Sequence, residues 1–477
     1  MVKKIFFSTI LTLSTLIIYS QVHWEPINNN LDVGISNIEI NAQGNGFIIG
    51  GKFSTNNELE LDGIAEWIPE LGFLTLNGGS NNCSSTIGCV HSMYAFHPFK
   101  GFTYAGLIDN NFQGEDFNGI AKWDGNVWDS LSGKLEYKLP FGIGPADARG
   151  FSVIDDTLYV GGSFQIIDSV DINSVAKWDG ENWHSLNFPY PNEILDVNFV
   201  YDFIKHKGSL YICGNIAVKD SLGNIVYDIM KYDGNNWTSV GSNPLFGSFG
   251  ELNCMIEYKG DLYVSGDLLK SENPEIGPGI ARLRNQEWEG INKSSQSGVV
   301  IDMIVLNDLL FVVGLFDEIG GIQANDIAVF DGVNWYSFDT EFDKHITTIQ
   351  ELNNEIYIGG FFEYIDGIHA PYFAKLKCNP SDLTNCGIIT STINDFNENF
   401  EINVFPNPSS GYVVLTNNDS NNKLVTAEFI NSNGALEKKI SFRENITIKN
   451  LKKGNYIIKF YNDENILITI KKVIIID

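Results

Sequence analysis

The sequence predicts an all-β protein: a seven-bladed β-propeller followed by a small Ig-like β-sandwich. Three observations predict it: a phrase that recurs seven times, four strand-like runs in each repeat, and a spare fourth run near the start. The phrase is Ile120-Ala121-Lys122-Trp123-Asp124-Gly125. It returns at Val175–Gly180 and Ile229–Gly234, with degraded copies starting at Ile64, Ile280, Ile327 and Phe373. The starts lie 56, 55, 54, 51, 47 and 46 residues apart, a spacing that suits one four-stranded blade per repeat.

Within a repeat the first run is apolar, as in Gly150–Ile154, and ends at a polar turn such as Asp155-Asp156. The second is Leu158-Tyr159-Val160-Gly161-Gly162, echoed at Leu210, Leu262, Leu310 and Ile356. The third is the recurring phrase, and the fourth reads Trp-x-x-Leu, as in Trp128–Leu131 and Trp183–Leu186. Runs of four to six residues that alternate or are wholly apolar argue for strands rather than helices. Asp-Gly between the third and fourth runs predicts a type I′ hairpin, with positive φ at both central residues. Fourth runs begin at Phe73, Trp128, Trp183, Trp237, Trp288 and Trp335, but the seventh repeat stops at Lys375-Leu376-Lys377-Cys378 without one. Trp24-Glu25-Pro26-Ile27 supplies the missing copy. A ring closed by that segment removes the free edge that a linear array would expose.

The 477 residues carry 43% hydrophobic and 19% charged side chains, with 46 Gly, as a turn-rich globular protein should. The net charge of −28 is concentrated in residues 21–394, where 49 Asp+Glu face 19 Lys+Arg, while 395–477 hold ten of each sign. An acidic body argues against nucleic acid and anionic membranes as partners, and permits divalent cations and neutral glycans. Lys3 and Lys4 before the apolar Ile5–Ile18 read as an export signal over residues 1–20. That run is too short to span a bilayer, and no other segment is apolar enough, so no transmembrane segment is expected in the mature chain. The expected division is 1–20 signal, 21–386 propeller, 387–400 an Asn- and Thr-rich linker, and 401–477 the sandwich. Export permits disulfides, for which the pairs Cys83/Cys89, Cys213/Cys254 and Cys378/Cys386 are candidates.

Residues 24–378 resemble a family of propeller repeats with the pattern Gly-Gly-x-Phe … Ile-Ala-x-Trp-Asp-Gly-x-x-Trp, best matched from Gly161-Gly162-Ser163-Phe164 to Trp183. That family occurs in secreted bacterial proteins and fungal cell-surface polarity markers, and implies a fold far more than a function. The C-terminal stretch presents Pro406-Asn407-Pro408, a following Gly411, Leu451-Lys452-Lys453-Gly454-Asn455-Tyr456, and a last strand containing Lys471 and Lys472. In this order the motifs resemble the type A sorting domain of the type IX secretion system. The resemblance implies recognition by that machinery, passage over the outer membrane, and a secreted or surface-attached product. Gly454 suits a turn ahead of the strand at Tyr456.

No nucleophile elbow, zincin helix, phosphate loop or EF-hand loop is present. The seven His lack ligand spacing and the Cys lack Cys-x-x-Cys pairs, so no resident metal or cofactor is expected, although Ca²⁺ is chemically admissible. The repeated Trp are expected to pack between blades. Aromatics outside the repeat, Tyr137, Phe141, Phe188, Tyr190, Phe246 and Phe249, fall in long fourth-to-first connections and are candidates to stack on a ligand. Counting eight residues back from each second run places Glu39, Asp202 and Asp302 at one level of the first runs, with Tyr94, Gly150, Cys254 and Thr348 in the other repeats. Carboxylates there are candidates for glycoside hydrolysis or for a cation. The expected function is non-catalytic extracellular binding or adhesion toward a glycan or protein. The alternatives are a carbohydrate-active enzyme and a matrix component.

Overall fold

The computed structural model describes residues 24–27, 31–51, 53, 59, 61, 63–76, 93–107, 111–112, 115–116, 119–131, 133–139, 142–190, 198–242, 245, 251–267, 276–292, 298–338, 340–377, 388–390, 402–405, 412–417, 424–431, 436–461 and 467–475. Among them every regular element is a strand, and the protein is all-β. Seven antiparallel sheets, begun by Ile35–Ile40, Met93–Phe99, Ala148–Ile154, Phe199–His206, Glu251–Tyr258, Val299–Leu306 and Ile346–Leu352, follow one another, the sixth of five strands and the others of four. These first strands touch in cyclic order, the seventh against the first, so they line the axis of a ring. The seventh sheet takes its outer strand from the other end of the chain: Trp24–Pro26 pairs with Phe373–Leu376, Trp24 opposite Leu376.

Each first strand contains one β-bulge, between residues 35/37, 93/95, 148/150, 200/202, 252/254, 300/302 and 346/348. The bulge explains the Gly of the second strands. A Cβ on Gly51, Gly162, Gly214, Gly266, Gly314 or Gly360 would lie 1.9–2.6 Å from a carbonyl oxygen at the start of its own first strand. Only hydrogen fits there.

The repeated Trp are structural. Third- and fourth-strand rings pack in pairs, Trp123 with Trp128 at 5.4 Å and Trp178 with Trp183 at 4.9 Å. Fourth-strand indoles also donate to the preceding sheet: Trp128 Nε1 to Leu76 O, Trp237 to Leu186 O, Trp288 to Val240 O and Trp335 to Ile291 O. Trp24 is wholly buried against Phe338 and Phe342.

The turns after the third strands differ from expectation. Positive φ occurs at Gly125, Gly180, Gly234 and Gly332 but not at the Asp before them. Each Asp instead accepts two backbone N–H groups two and three residues ahead, as Asp124 does from Asn126 and Val127. The loop is therefore four residues long and built around an Asp acceptor, as Asp readily supports. Two-residue turns with paired positive φ lie between first and second strands, at Asp155-Asp156, Asn307-Asp308 and Asn353-Asn354, and between the third and fourth strands of the fifth sheet, at Asn285-Gln286.

Two stretches expected to lack strands contain them. In the connection after the second sheet, Leu135–Leu139 pairs with Gly142–Pro145 and with Ile166–Ile167, forming a small extra sheet. In the expected linker, Ile388–Thr390 adds to the outer strand of the sixth sheet, Trp335–Phe338. An outer strand presents unpaired backbone groups that a passing segment can satisfy.

The C-terminal part forms two sheets, Ile402–Phe405 with Tyr412–Asn417 and Ile446–Lys449, and Leu436–Phe442 with Val425–Asn431, Gly454–Tyr461 and Leu467–Ile475. Both contribute to one core including Val413, Leu415, Phe429, Ile448 and Phe460.

Candidate functional site

The bulges correct the sequence alignment of the axial residues. The hairpin Ile40↔Phe47 closes a loop two residues longer than Lys205↔Leu210. Counting eight residues back from the second strand therefore stops two residues short in the first sheet. The residue equivalent to Asp202 and Asp302 is Asn37, with Glu39 two positions further along the same strand. In the second sheet it is Ala95, not Tyr94.

Asp202 and Asp302 line the axis, within reach of solvent but surrounded by protein on all sides. Asp202 accepts from its own neighbour Phe203 N at 2.7 Å and, across the sheet boundary, from Met255 N at 2.7 Å. Asp302 repeats this with Met303 N at 2.8 Å and, across the next boundary but one, Ile349 N at 2.9 Å. Thr348 Oγ1 donates to the same Asp302 oxygen at 3.1 Å and accepts from Ile38 N at 3.3 Å, carrying the chain of contacts into the first sheet. There Glu39 Oε2 stands 3.5 Å from His97 Nδ1 of the second sheet. Burial is the main reason that Asp202 is pushed up to about 7; its two N–H donors pull it down, and the charge of Asp302 pushes it further up. Burial likewise lifts Asp302 to about 6, against the same kind of donors.

Cys213 and Cys254 are both free thiols. The disulfide expected between them is absent because each sulfur faces another partner. Cys213 Sγ points to Leu252 O at 3.8 Å, and Cys254 Sγ lies 3.1 Å from Ser265 Oγ. Burial raises both thiols well above the usual range, and buried, neutral thiols are inert. Cys83, Cys89, Cys378 and Cys386 lie outside the described residues. Among the described residues no three His, Cys, Asp or Glu side chains come together as a cation cage would need.

The fourth-to-first connections share a face of the ring with the second-to-third ones. Of the aromatics expected there, Tyr190 is exposed (46%), and Lys138 sits over its ring at 5.0 Å. Lys138 also donates to the Tyr190 hydroxyl at 3.2 Å and pairs with Asp171 at 2.9 Å. Tyr137 is half-buried against the core below it. Phe188 is buried, edge-on to Trp237 at 4.9 Å, so its ring belongs to the core rather than to a binding surface. Phe141, Phe246 and Phe249 lie outside the described residues.

Two bulged residues outside the expected candidates, Arg149 and Tyr201, enrich this face. Arg149 stacks on Phe199 at 4.1 Å and forks onto one Asp147 oxygen, with Nε at 3.1 Å and a terminal nitrogen at 2.9 Å. Tyr201 lies beside Glu251 and Arg149, and its phenol is raised above the ordinary range mainly by burial. The signal was a lone Arg within an otherwise apolar first run.

Of the C-terminal motif residues, Tyr456 is buried and donates to Glu437 at 3.0 Å and to Lys452 O at 3.1 Å. Gly454 opens that strand at φ +154°. Lys471 and Lys472 occupy the last strand opposite Ile458 and Ile457. Pro406, Asn407 and Pro408 lie outside the described residues.

The fold and this terminal domain define an exported all-β protein. Residues 403–476 match the family described as Secretion system C-terminal sorting domain. The chain is accordingly a client of the type IX secretion system, destined for the cell surface or the extracellular space. No helix among the described residues is long and apolar enough to cross a membrane. No curated protein matches the chain. Similar solved structures include the extracellular domain of BT4673 from B. thetaiotaomicron, 11% identical over 96% of this chain at a TM-score of 0.46. This chain covers 60% of that one, so it spans about three fifths of its neighbour. A fungal alcohol oxidase of the AA5 family, in complex with copper, is 11% identical over 95% of this chain and 99% of its own, at 0.44. An exo-β-1,3-galactanase from Phanerochaete chrysosporium is 12% identical over 72% and 99%, at 0.29. Likeness of this depth carries no argument about ligand or reaction.

Proposed function

We propose that the exported chain is a non-catalytic binding or adhesion protein: a seven-bladed propeller whose loop-bearing face takes up a glycan or a protein. One observation carries the reading. Asp202 and Asp302, the paired axial carboxylates that a glycoside hydrolase would call on, each accept a backbone N–H from the next sheet and so brace the ring. A catalytic acid or nucleophile needs an oxygen aimed at substrate. The face above offers a different chemistry, with the exposed Tyr190 ring beside Lys138 and the Arg149–Phe199–Tyr201 group. Aromatic rings beside charged and amide groups suit sugar hydroxyls and polar protein surfaces.

The test is incubation of the full chain with a panel of insoluble polysaccharides, with and without Ca²⁺, scoring retained protein and released sugar in the same tubes. Retention without product, weakened by Tyr190→Ala or Arg149→Ala and unchanged by Asp202→Asn, is the expected result. Released sugar that disappears with Asp202→Asn or Asp302→Asn would establish the enzyme instead.

A further inference from the structure

The first sheet departs from the repeat at its first hairpin, and the extra residues build something. The loop of residues 41–46, two longer than the equivalent loop of the fourth sheet, contributes Ala42, Gln43 and Asn45 to the wall of a cavity of about 310 Å³ between the first and second sheets. That volume is at the small end of the roughly 300–1,000 Å³ typical of small-molecule sites. The cavity lies among first-to-second and third-to-fourth turns, so it opens on the face opposite the fourth-to-first connections.

The wall is held in advance. Asn41 is buried (2% exposed), and its Nδ2 donates to Asn45 Oδ1 and to Glu66 Oε1, both at 2.8 Å. Its Oδ1 accepts from Asn45 N at 3.0 Å and Gly46 N at 3.2 Å. One Glu66 oxygen is thereby fixed, and the other is left to accept from a ligand. Thr75 and Thr103 add hydroxyls, while Trp123 and Leu76 supply a buried apolar surface. No Lys or Arg lines the cavity, so nothing there would compensate a phosphate or carboxylate brought beside Glu66. Its single carboxylate falls short of the six or more oxygens that Ca²⁺ prefers.

We propose that this inter-sheet cavity binds one neutral pyranose residue, its hydroxyls donating to Glu66 and exchanging hydrogen bonds with Asn45 and the threonines, its apolar flank against Trp123 and Leu76. The site is independent of the loop-bearing face and of whatever that face binds.

The experiment is calorimetric titration of the full chain with glucose, galactose, mannose and N-acetylglucosamine, with galacturonate and inorganic phosphate as charged probes. At least one neutral sugar is expected to bind with one-to-one stoichiometry and a dissociation constant on the order of 1 mM, as a ligand of so few atoms allows. Thr75→Trp, at an exposed rim position, fills the cavity and is expected to abolish binding with an unchanged melting curve. Glu66→Gln is expected to weaken binding about tenfold, equivalent to the loss of one charge-assisted hydrogen bond. Tyr190→Ala, on the other face, leaves it unchanged. The proposal falls if no neutral sugar gives a saturable isotherm, if Thr75→Trp folds and still binds, or if galacturonate or phosphate binds better than every neutral sugar.

Discussion

Two sets of aspartates in this ring accept the same kind of hydrogen bond and end with opposite shifts. Asp124 and Asp233, on the outer turns, each accept two backbone N–H groups, and those donors hold the carboxyls below the usual range. Asp202 and Asp302, on the axis, also accept from pairs of backbone N–H groups, yet both are pushed up, to about 7 and about 6. The difference is solvent. On the outer turns water still hydrates the anion and the donors decide the sign; along the axis the loss of hydration outweighs them. A raised pKa in a cleft is therefore no sign of catalysis by itself; here it accompanies carboxylates that stitch sheets together.

The sharpest way to break this comparison is to remove an axial acceptor. Asp302→Ala leaves Met303 N, Ile349 N and Thr348 Oγ1 without their partner. It is expected to destabilise by about 2–4 kcal/mol in denaturant unfolding. A loss no larger than that of an outer-turn variant would mean that axial water replaces the carboxylate at no penalty.

Next is pH. The folded pKa of Asp202 lies above the ordinary unfolded value, so its contribution to stability is full below about pH 4 and is lost as pH rises to about 7. Asp302 acts in the same direction up to about 6. The slope is at most about 1.4 kcal/mol per pH unit for each group. Melting curves should move down across this window, and Asp202→Asn should flatten the trend. A midpoint that climbs from pH 4 to 7 would sink the assignment.

Smaller still is Asp233→Ala, whose expected effect has the opposite pH sign: the wild-type turn is stabilised above the unfolded pKa and loses that as pH falls through the folded one. The variant's deficit should appear at neutral pH and vanish in acid, read from amide exchange at Asn235 and Asn236. Least in energy, but decisive for connectivity, is the thiol count. Alkylation of the unfolded, unreduced chain should label Cys213 and Cys254 singly, whereas a linked peptide pair would contradict the free thiols seen here.

The strands were legible because the repeat writes each one seven times. Period and patterning located the third-strand phrase and its partner Trp, and the unpaired Trp24 announced a fourth strand in search of a third. What stayed hidden left no mark on the pattern of residue types. A bulge shifts facing by one residue without changing composition, so Arg149 and Tyr201 read as ordinary members of apolar runs. Two added residues in one hairpin displaced the count that led to Glu39 in place of Asn37. Asp-Gly signalled a tight turn, but whether Asp adopts positive φ or accepts N–H groups depends on loop length, which sequence left open. Phe188 looked like a loop aromatic because burial from a neighbouring sheet leaves no trace in its own segment.

The pairing of Trp24–Pro26 with Phe373–Leu376 sets the order of synthesis against the order of assembly. The first residues of the described chain to be made are the last to find their place, since their partner strand does not exist until the seventh repeat has emerged. Long-range pairing of this kind is slow to form. Until then the unfinished molecule is a row of sheets with an open flank and an indole awaiting cover. A tag fused immediately before Trp24 would hang from the seam rather than from a loose tail, and a deletion of a few residues there would leave the ring unbuckled.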